Sequence, residues 1–280
     1  MNLIKENFNV DLPINSIFTQ DWKDKLAGCD HVSFDNLDHF IYTVSKLKQK
    51  EDEKCGISYQ HALNNLVQRK SDFPKEEQDS IRNLVRSNLF KRGLITREIY
   101  ENYRYSTDGT HVGVDVAKYA AGEADCVIVP NRQYIDFFYE LYVSISYSCD
   151  VTNEDVRKNV AKLLATVEEL ERQHIYVKIV AVLPISNPMN KIPKDSNKKN
   201  LFFSSIPIFS HKDFKSVDVM SSVINDRLLR KFYFAVLEDL YKENLHYGYG
   251  YPMSLNKAMN IGNTFDEIAF FENIKNTVGG

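Results

Sequence analysis

The stretch from Leu141 to Leu183 constrains the fold more than any other part of the chain, because three different periodicities follow one another in it. Leu141, Val143, Ile145 and Tyr147 alternate with Tyr142, Ser144 and Ser146, the two-residue period of a strand. Thr152 then stands where an N-cap belongs, with Asp155 three residues on, an acidic variant of the capping box. Val156, Val160, Leu163, Leu164, Val167 and Leu170 recur at steps of three and four and form one apolar stripe on a helix, with Glu154, Arg157, Lys158, Lys162, Glu168, Glu169 and Arg172 on the opposite face. Ile175–Leu183 is rich in β-formers and almost wholly apolar from Ile179, the pattern of a strand buried on both faces. Two strands joined by one crossover helix run parallel with a right-handed connection. Ser146, Tyr147, Ser148, Cys149 and Asp150 then lie at the carboxyl end of the first strand, where open α/β sheets bind ligands.

Composition narrows the function classes. A chain of 280 residues forms one large domain or two small ones, and its 43% apolar content is ample for a core. The formal net charge of −3 gives no bulk attraction for nucleic acid. Cys29, Cys55, Cys126 and Cys149 are scattered singly, which reads as a reducing compartment without a disulfide framework. The opening MNLIKENFNVDLP has no long apolar core of a signal peptide, and no apolar run approaches the roughly 18 residues of a membrane span.

Residues 1–30 read as irregular, with Trp22 as a packing anchor. Helical spacing follows in Phe34–Lys48 (Leu37, Phe40, Ile41, Val44, Leu47), in Tyr59–Arg69, and in a helix opened by Pro74, striped by Ile81, Leu84, Val85 and Leu89, and closed by Gly93. The turn signal Asp108-Gly109 precedes a strand at His111–Val116, a short helical piece ending near Gly122, and an apolar strand, Cys126–Val129, stopped by Pro130. Ser186–Asn200 is polar, basic and broken by proline, and reads as a long mobile loop. Leu201–Phe209 contains a strand, Val217–Ile224 a helix, and Asp226–Leu245 a deeply packed helix, apolar nearly all round. Tyr247–Pro252, a GYG-containing turn, breaks it before a last helix at Phe265–Ile274. The expected architecture is an α/β three-layer sandwich with a mainly parallel, mixed sheet. Residues 1–107 form a mainly helical N-terminal region packed on a core of residues 108–280.

The order strand, SxSxS, amphipathic helix, buried strand resembles the von Willebrand factor A (vWA) fold, a Rossmann-like sandwich. Metal-binding members end the strand in DxSxS, the heart of a metal-ion-dependent adhesion site (MIDAS). In the same register this chain has Ser144, Ser146 and Ser148. The two serines match and the aspartate is absent, with Asp150 nearby but off register. The resemblance therefore implies the fold and a degenerate site lacking the carboxylate that gives an Mg²⁺ ion its charge partner. A second similarity covers more of the chain. Gly113–Glu123 (GVDVAKYAAGE), the Ser144–Leu183 unit, Arg227–Glu238, Gly248-Tyr249-Gly250 and an N-terminal DWKDKLAG together resemble a family of tailed-bacteriophage proteins of unassigned activity. Its members carry a GxxVDVxxYxxGxP-like segment before a degenerate A-domain-like core, and Ala124 occupies the usual proline position here. That likeness implies phage origin and fold, not a chemistry.

Each candidate site has a structural alternative. Ser146, Ser148 and Asp150 suit either a metal or a polar strand end whose hydroxyls serve loop and helix-start amides. Asp115, Tyr119 and Glu123, four residues apart, share a helix face and suit acid–base work or plain hydrogen bonding. Cys29, Asp30, His31, Asp35, Asp38 and His39 are ligand types without zinc-like spacing, so a solvated acidic loop and helix start is the default. Cys149 lacks a nucleophile-elbow turn. GxGxxG and GxxxxGK[ST] are both missing, which argues against standard dinucleotide and P-loop sites. Lys191, Lys194, Lys198 and Lys199 suit a phosphate backbone or a solvated loop. The reading that follows is a phage-encoded, non-enzymatic protein-binding or assembly module, virion-associated or host-interacting. It has no cofactor, no membrane segment and little claim on nucleic acid, and works in the virion or host cytoplasm. Its binding edge comprises Ser144, Ser146, Ser148, Asp150, Asp115, Tyr119 and Glu123. The rival is an enzyme acting on a nucleotide or nucleic acid, countering host defence.

Overall fold

A computed structural model describes residues 29–47, 58–71, 73–95, 103–106, 113–114, 116–123, 126–130, 137–191, 200–213, 217–246, 248–253, 255 and 258–279. In chain order the elements are β1 (Asp30–Ser33), α1 (Leu37–Ser45), α2 (Tyr59–Val67), α3 (Lys75–Lys91), β2 (Tyr103–Ser106), β3 (Gly113–Val114), α4 (Val116–Ala120), β4 (Val127–Pro130) and β5 (Phe137–Ser144). They continue with α5 (Asn153–Glu171), β6 (Ile175–Ser186), β7 (Leu201–Phe209), α6 (Val217–Val223), a π-helical turn (Leu228–Tyr233) running into α7 (Phe234–Tyr241), β8 (Tyr251–Pro252), β9 (Met259–Asn260) and α8 (Glu267–Gly279).

The strand–helix–strand unit forms as its periodicities dictate. The Thr152 side chain accepts from the Asp155 N–H and caps α5, whose Val156, Val160, Leu163, Leu164, Val167 and Leu170 are all buried. β5 and β6 pair in parallel from Phe137↔Ile175 to Ser144↔Val182. Around them lies a six-stranded mixed sheet in the order β1-β7-β6-β5-β9, with β8 beside the end of β6. β1 runs parallel to β7, and β5 to β6 and β9, whereas β7 and β8 are antiparallel to β6. A separate three-stranded antiparallel sheet has the order β2-β4-β3.

The two faces of the larger sheet are unlike. Leu141, Val143, Val177, Ile179, Ala181, Leu183, Phe202 and Ile206 belong to one continuous core with the buried residues of α1, α2, α3, α5, α7 and α8. The opposite face holds a small cluster of Val180, Val182, Phe203 and Leu255, flanked by Cys29, Tyr142, Met253 and Ala258. Among the described residues, then, the buried side chains of these helices join the core on one face, and no described helix covers the small cluster on the other. The reason lies in β6: its even-numbered residues from Tyr176 to Lys178 are not apolar enough to call for a second helical layer.

Other expectations need correction. Asp30–Ser33 is a strand within the sheet rather than a solvated loop, because its backbone finds a parallel partner in Phe202–Ser205. Leu84 is 50% exposed, and the buried row of α3 is Gln78, Val85 and Leu89, the Gln78 amide donating to Phe73 O at 2.8 Å. Val116 begins α4 instead of ending a strand. β4 ends at Pro130, which is its last residue rather than the first beyond it. Residues 186–191 are tied down: Asn187 N–H donates to Asn200 O (2.7 Å), His246 N–H to Pro188 O (2.7 Å), and Asn190 Nδ2 to Leu245 O (2.8 Å). Gly248, Tyr249 and Gly250 all have positive φ, and a Cβ on Gly250 would fall 2.6 Å from Ser186 O, so this turn is a close-fitting clip against the end of β6 rather than a loose break. Trp22, Cys55, Asp108-Gly109 and the DWKDKLAG segment lie outside the described residues.

Candidate functional site

The chain leaves β5 at Ser144 and turns through residues 145–152 into the N-terminus of α5. Ser144 and Ser146 are only 1% and 2% exposed. They are sealed by the segment that follows β9: Ile261 N–H donates to Ser144 O (3.1 Å), Asn260 Nδ2 to Ser146 O (2.8 Å), and Gly262 N–H to Asn260 Oδ1 (2.8 Å). A Cβ on Gly262 would sit 2.3 Å from Tyr147 Cβ, so only glycine lets this backbone lie against the strand end. The carboxyl edge expected to be an open binding crevice is thus filled by the chain itself at these two serines. Asn260 and Gly262 escaped sequence reading because a two-residue strand carries no period to detect.

Ser148 and Asp150 remain nearer solvent. Ser148 Oγ donates to Asp150 Oδ2 (3.1 Å) and accepts the Asp150 N–H (3.4 Å), a local turn before the cap. Arg230, projecting from the π-helical turn, donates to Asn153 Oδ1 (2.7 Å) and Val151 O (3.0 Å), with its guanidinium 5.2 Å from the Tyr147 ring centre. This geometry braces the start of α5. Among the described residues no three His, Cys, Asp or Glu side chains converge as a metal ion's ligand set.

The remaining candidates are dispersed. Asp115 lies outside the described residues; Tyr119 and Glu123 are exposed on and just after α4, and Glu123 pairs with Lys118 at 3.2 Å. Among the described residues no hydrogen bond joins them to the serine tip. The Cys29–His39 cluster is split between a strand and a helix start. Asp30 accepts from the Tyr241 hydroxyl (3.1 Å), His31 stacks on Phe203 (5.7 Å), and Asp35 pairs with His39 (3.2 Å). Burial pushes the His31 pKa down to about 4. Cys149 is exposed, its thiol 3.8 Å from Asp150 Oδ1. Lys191 is pinned through its N–H to Asn244 Oδ1 (3.3 Å), and Lys194, Lys198 and Lys199 lie outside the described residues.

The more distinctive surface is on the sheet face away from the helices, near the start of β5. Phe138 is 62% exposed, with the Tyr176 ring stacked 5.9 Å away and the His211 ring edge-on at 5.1 Å. Beside it the Glu140 carboxylate accepts from both the Lys178 ammonium and the Tyr142 hydroxyl. Burial works against its ionisation, but those two hydrogen bonds and the Lys178 charge prevail and hold its pKa below the usual carboxylate range. Tyr142 is pushed up by burial and by the same carboxylate. A groove of about 530 Å³ opens nearby between the β1–α1 turn and the end of β7, lined among others by Asp35, Asp38, Arg69, Lys178 and Asp213. Phe138 and Glu140 escaped sequence reading because the alternation of β5 begins at Phe137, four residues before the point where its apolar residues become regular.

β5 also has an unpaired margin. Phe137 and Ile145 donate their N–H groups to His174 O and Val182 O of the β6 side, whereas Ser144 O accepts from Ile261 on the other side. Odd residues of β5 therefore bond toward β6 and even residues face outward. The pairing with β9 covers only Val143 and Ser144. Among the described residues the outward N–H and C=O groups of Phe138 and Glu140 meet no partner.

A family model described as a domain of unknown function (DUF7192) matches residues 28–278. No curated protein and no solved structure matches the chain.

Proposed function

We propose that this chain, which belongs to the DUF7192 family of domains of unknown function, is a phage-encoded, non-enzymatic protein-binding or assembly module with a vWA-like core and a degenerate adhesion site. The parallel β5–α5–β6 unit with its serine tip supports the vWA-like reading, and the helices α1 to α3 ahead of it support the helical N-terminal region. The observation that carries the function is the asymmetry of the sheet. One face is filled by helices, while the other leaves Phe138 62% exposed between Tyr176 and His211. Exposed aromatics on a rigid scaffold are what protein interfaces use as anchors. The partner side of the module is accordingly the Phe138 side of the sheet, with the sealed serines Ser144 and Ser146 anchoring the carboxyl end of the same strand. Its setting is the virion or the infected cell's cytoplasm. The groove beside it has three aspartates against Arg69 and Lys178, which disfavours a polyanionic ligand such as a nucleotide and leaves the enzyme alternative with less support.

The test is co-purification from infected cells and from purified particles, comparing the wild-type chain with Phe138→Ala/Tyr176→Ala. A partner retained by the wild type and lost by the double variant, at unchanged melting temperature, is the expected outcome. Equal retention by both chains would move the interface elsewhere.

A further inference from the structure

We infer that the outer margin of β5 is a docking slot for one extended segment of a partner protein, which joins the sheet as an added strand and carries a lysine or arginine two residues from an aromatic or β-branched residue. This rests on the reading of the Phe138 side as the partner side and specifies how the partner is held. The backbone sets the occupant's conformation. Phe138 and Glu140 hold their N–H and C=O groups outward in strand geometry, and only another extended backbone satisfies groups so arrayed. The slot has a fixed end, since β9 takes up the same margin at Val143 and Ser144.

The side chains set the occupant's chemistry. Phe138 and Glu140, being even-numbered, point to the face away from the helices. Phe138 already stacks on Tyr176 of β6, so a ring or branched chain on the incoming strand extends an aromatic row across three strands. Glu140 has Lys178 on its inner side. A basic residue on its outer side completes a plus–minus–plus ladder, whereas an acidic residue there meets a carboxylate. The same rule argues against a second copy of this chain. Antiparallel pairing of two β5 margins over their full overlap sets Glu140 directly against Glu140.

The experiment uses the full chain and three capped seven-residue probe peptides in a threonine background: one with tyrosine and lysine at alternate positions, one with glutamate replacing the lysine, and one with a central proline. Binding is read by calorimetry and by amide hydrogen exchange. The lysine peptide is expected to bind about tenfold tighter than the glutamate peptide and the proline peptide not at all. On binding, the amides of Phe138 and Glu140 slow in exchange, while those of Tyr139 and Leu141, already bonded to β6, change little. Glu140→Lys reverses the charge preference. Phe138→Pro removes an outward N–H without touching the β6 ladder and should cost more affinity than Phe138→Ala; where the proline variant does not fold, the exchange data on the wild type decide. Equal binding of the lysine and glutamate peptides overturns the basic partner class. Unchanged exchange at Phe138 and Glu140 with every peptide overturns strand addition, and if the infected-cell partner still needs Phe138, the broader reading survives that failure. A dimer of the free chain whose Phe138 and Glu140 amides are already protected overturns the inference in favour of self-association.

Discussion

The helix-covered face of the sheet and the opposite face are built from the same strands, yet they do different work. On the first, Val143, Val177, Ile179, Ala181 and Leu183 are fully excluded from solvent and continuous with the buried residues of α1, α2, α3, α5, α7 and α8. On the second, four buried residues make a small cluster, and the rest of the surface is aromatic, ionic and half-exposed. Alternation along a strand sends each residue to one face or the other, so stability and recognition separate by parity. Substitutions at odd positions of β5 should act on folding and those at Phe138 and Glu140 on binding.

The contrast breaks if the helix-covered face tolerates truncation. Leu163, fully buried on α5 within this core, would leave a cavity on truncation, and Leu163→Ala should destabilise by about 2–5 kcal/mol in urea unfolding. A loss below about 1 kcal/mol would mean that face is loosely packed. The other face offers a pH-dependent effect. His31 is held neutral against Phe203, with its pKa lowered to about 4 from an ordinary 6.5. The unfolded chain takes up this proton first, so the His31 contribution is complete above pH 6.5 and is lost as pH falls from about 6.5 toward 4. Because solvent reaches part of the ring, the loss is about 2 kcal/mol rather than the full linkage value. His31→Phe should flatten the difference between urea midpoints at pH 7 and pH 4.5. An unchanged slope would show that His31 titrates normally.

How much of this was legible in the sequence depended on range. The β5–α5–β6 unit was readable because each of its signals is local: an alternation, a Thr152 cap and a three-four stripe need no distant partner. β1, β8 and β9 were not readable, since DHVS, YP and MN become strands only where β7, β6 and β5 lend them a register. The same holds for the site. Ser144 and Ser146 were found, but their burial is imposed by Asn260 and Gly262 from more than a hundred residues away. The all-round burial of Leu228–Tyr233 followed from its apolar content, whereas the burial of Lys231 within it, at 2% exposure, had no sequence signal. Alternation placed Val116 in a strand because a two-residue period and the start of a short helix look alike over six residues.

The two smallest effects sharpen the comparison. Thr152→Ala removes the hydroxyl that accepts the Asp155 N–H at 3.1 Å and should cost about 1 kcal/mol without altering any partner affinity, because the cap faces the end of α5 and not the open face. Phe138→Ala should do the reverse. The ring is mostly in water, its contacts are to Tyr176 and His211 at one edge, and its truncation leaves no cavity, so unfolding free energy should move by less than about 0.5 kcal/mol. Partner capture, in contrast, should fall sharply, because an aromatic anchor at an interface is worth far more than the same ring in solvent. A Phe138→Ala chain that loses several kcal/mol of stability would place this ring inside a buried contact made by the chain itself, and the division of labour between the two faces would fail at its most exposed residue.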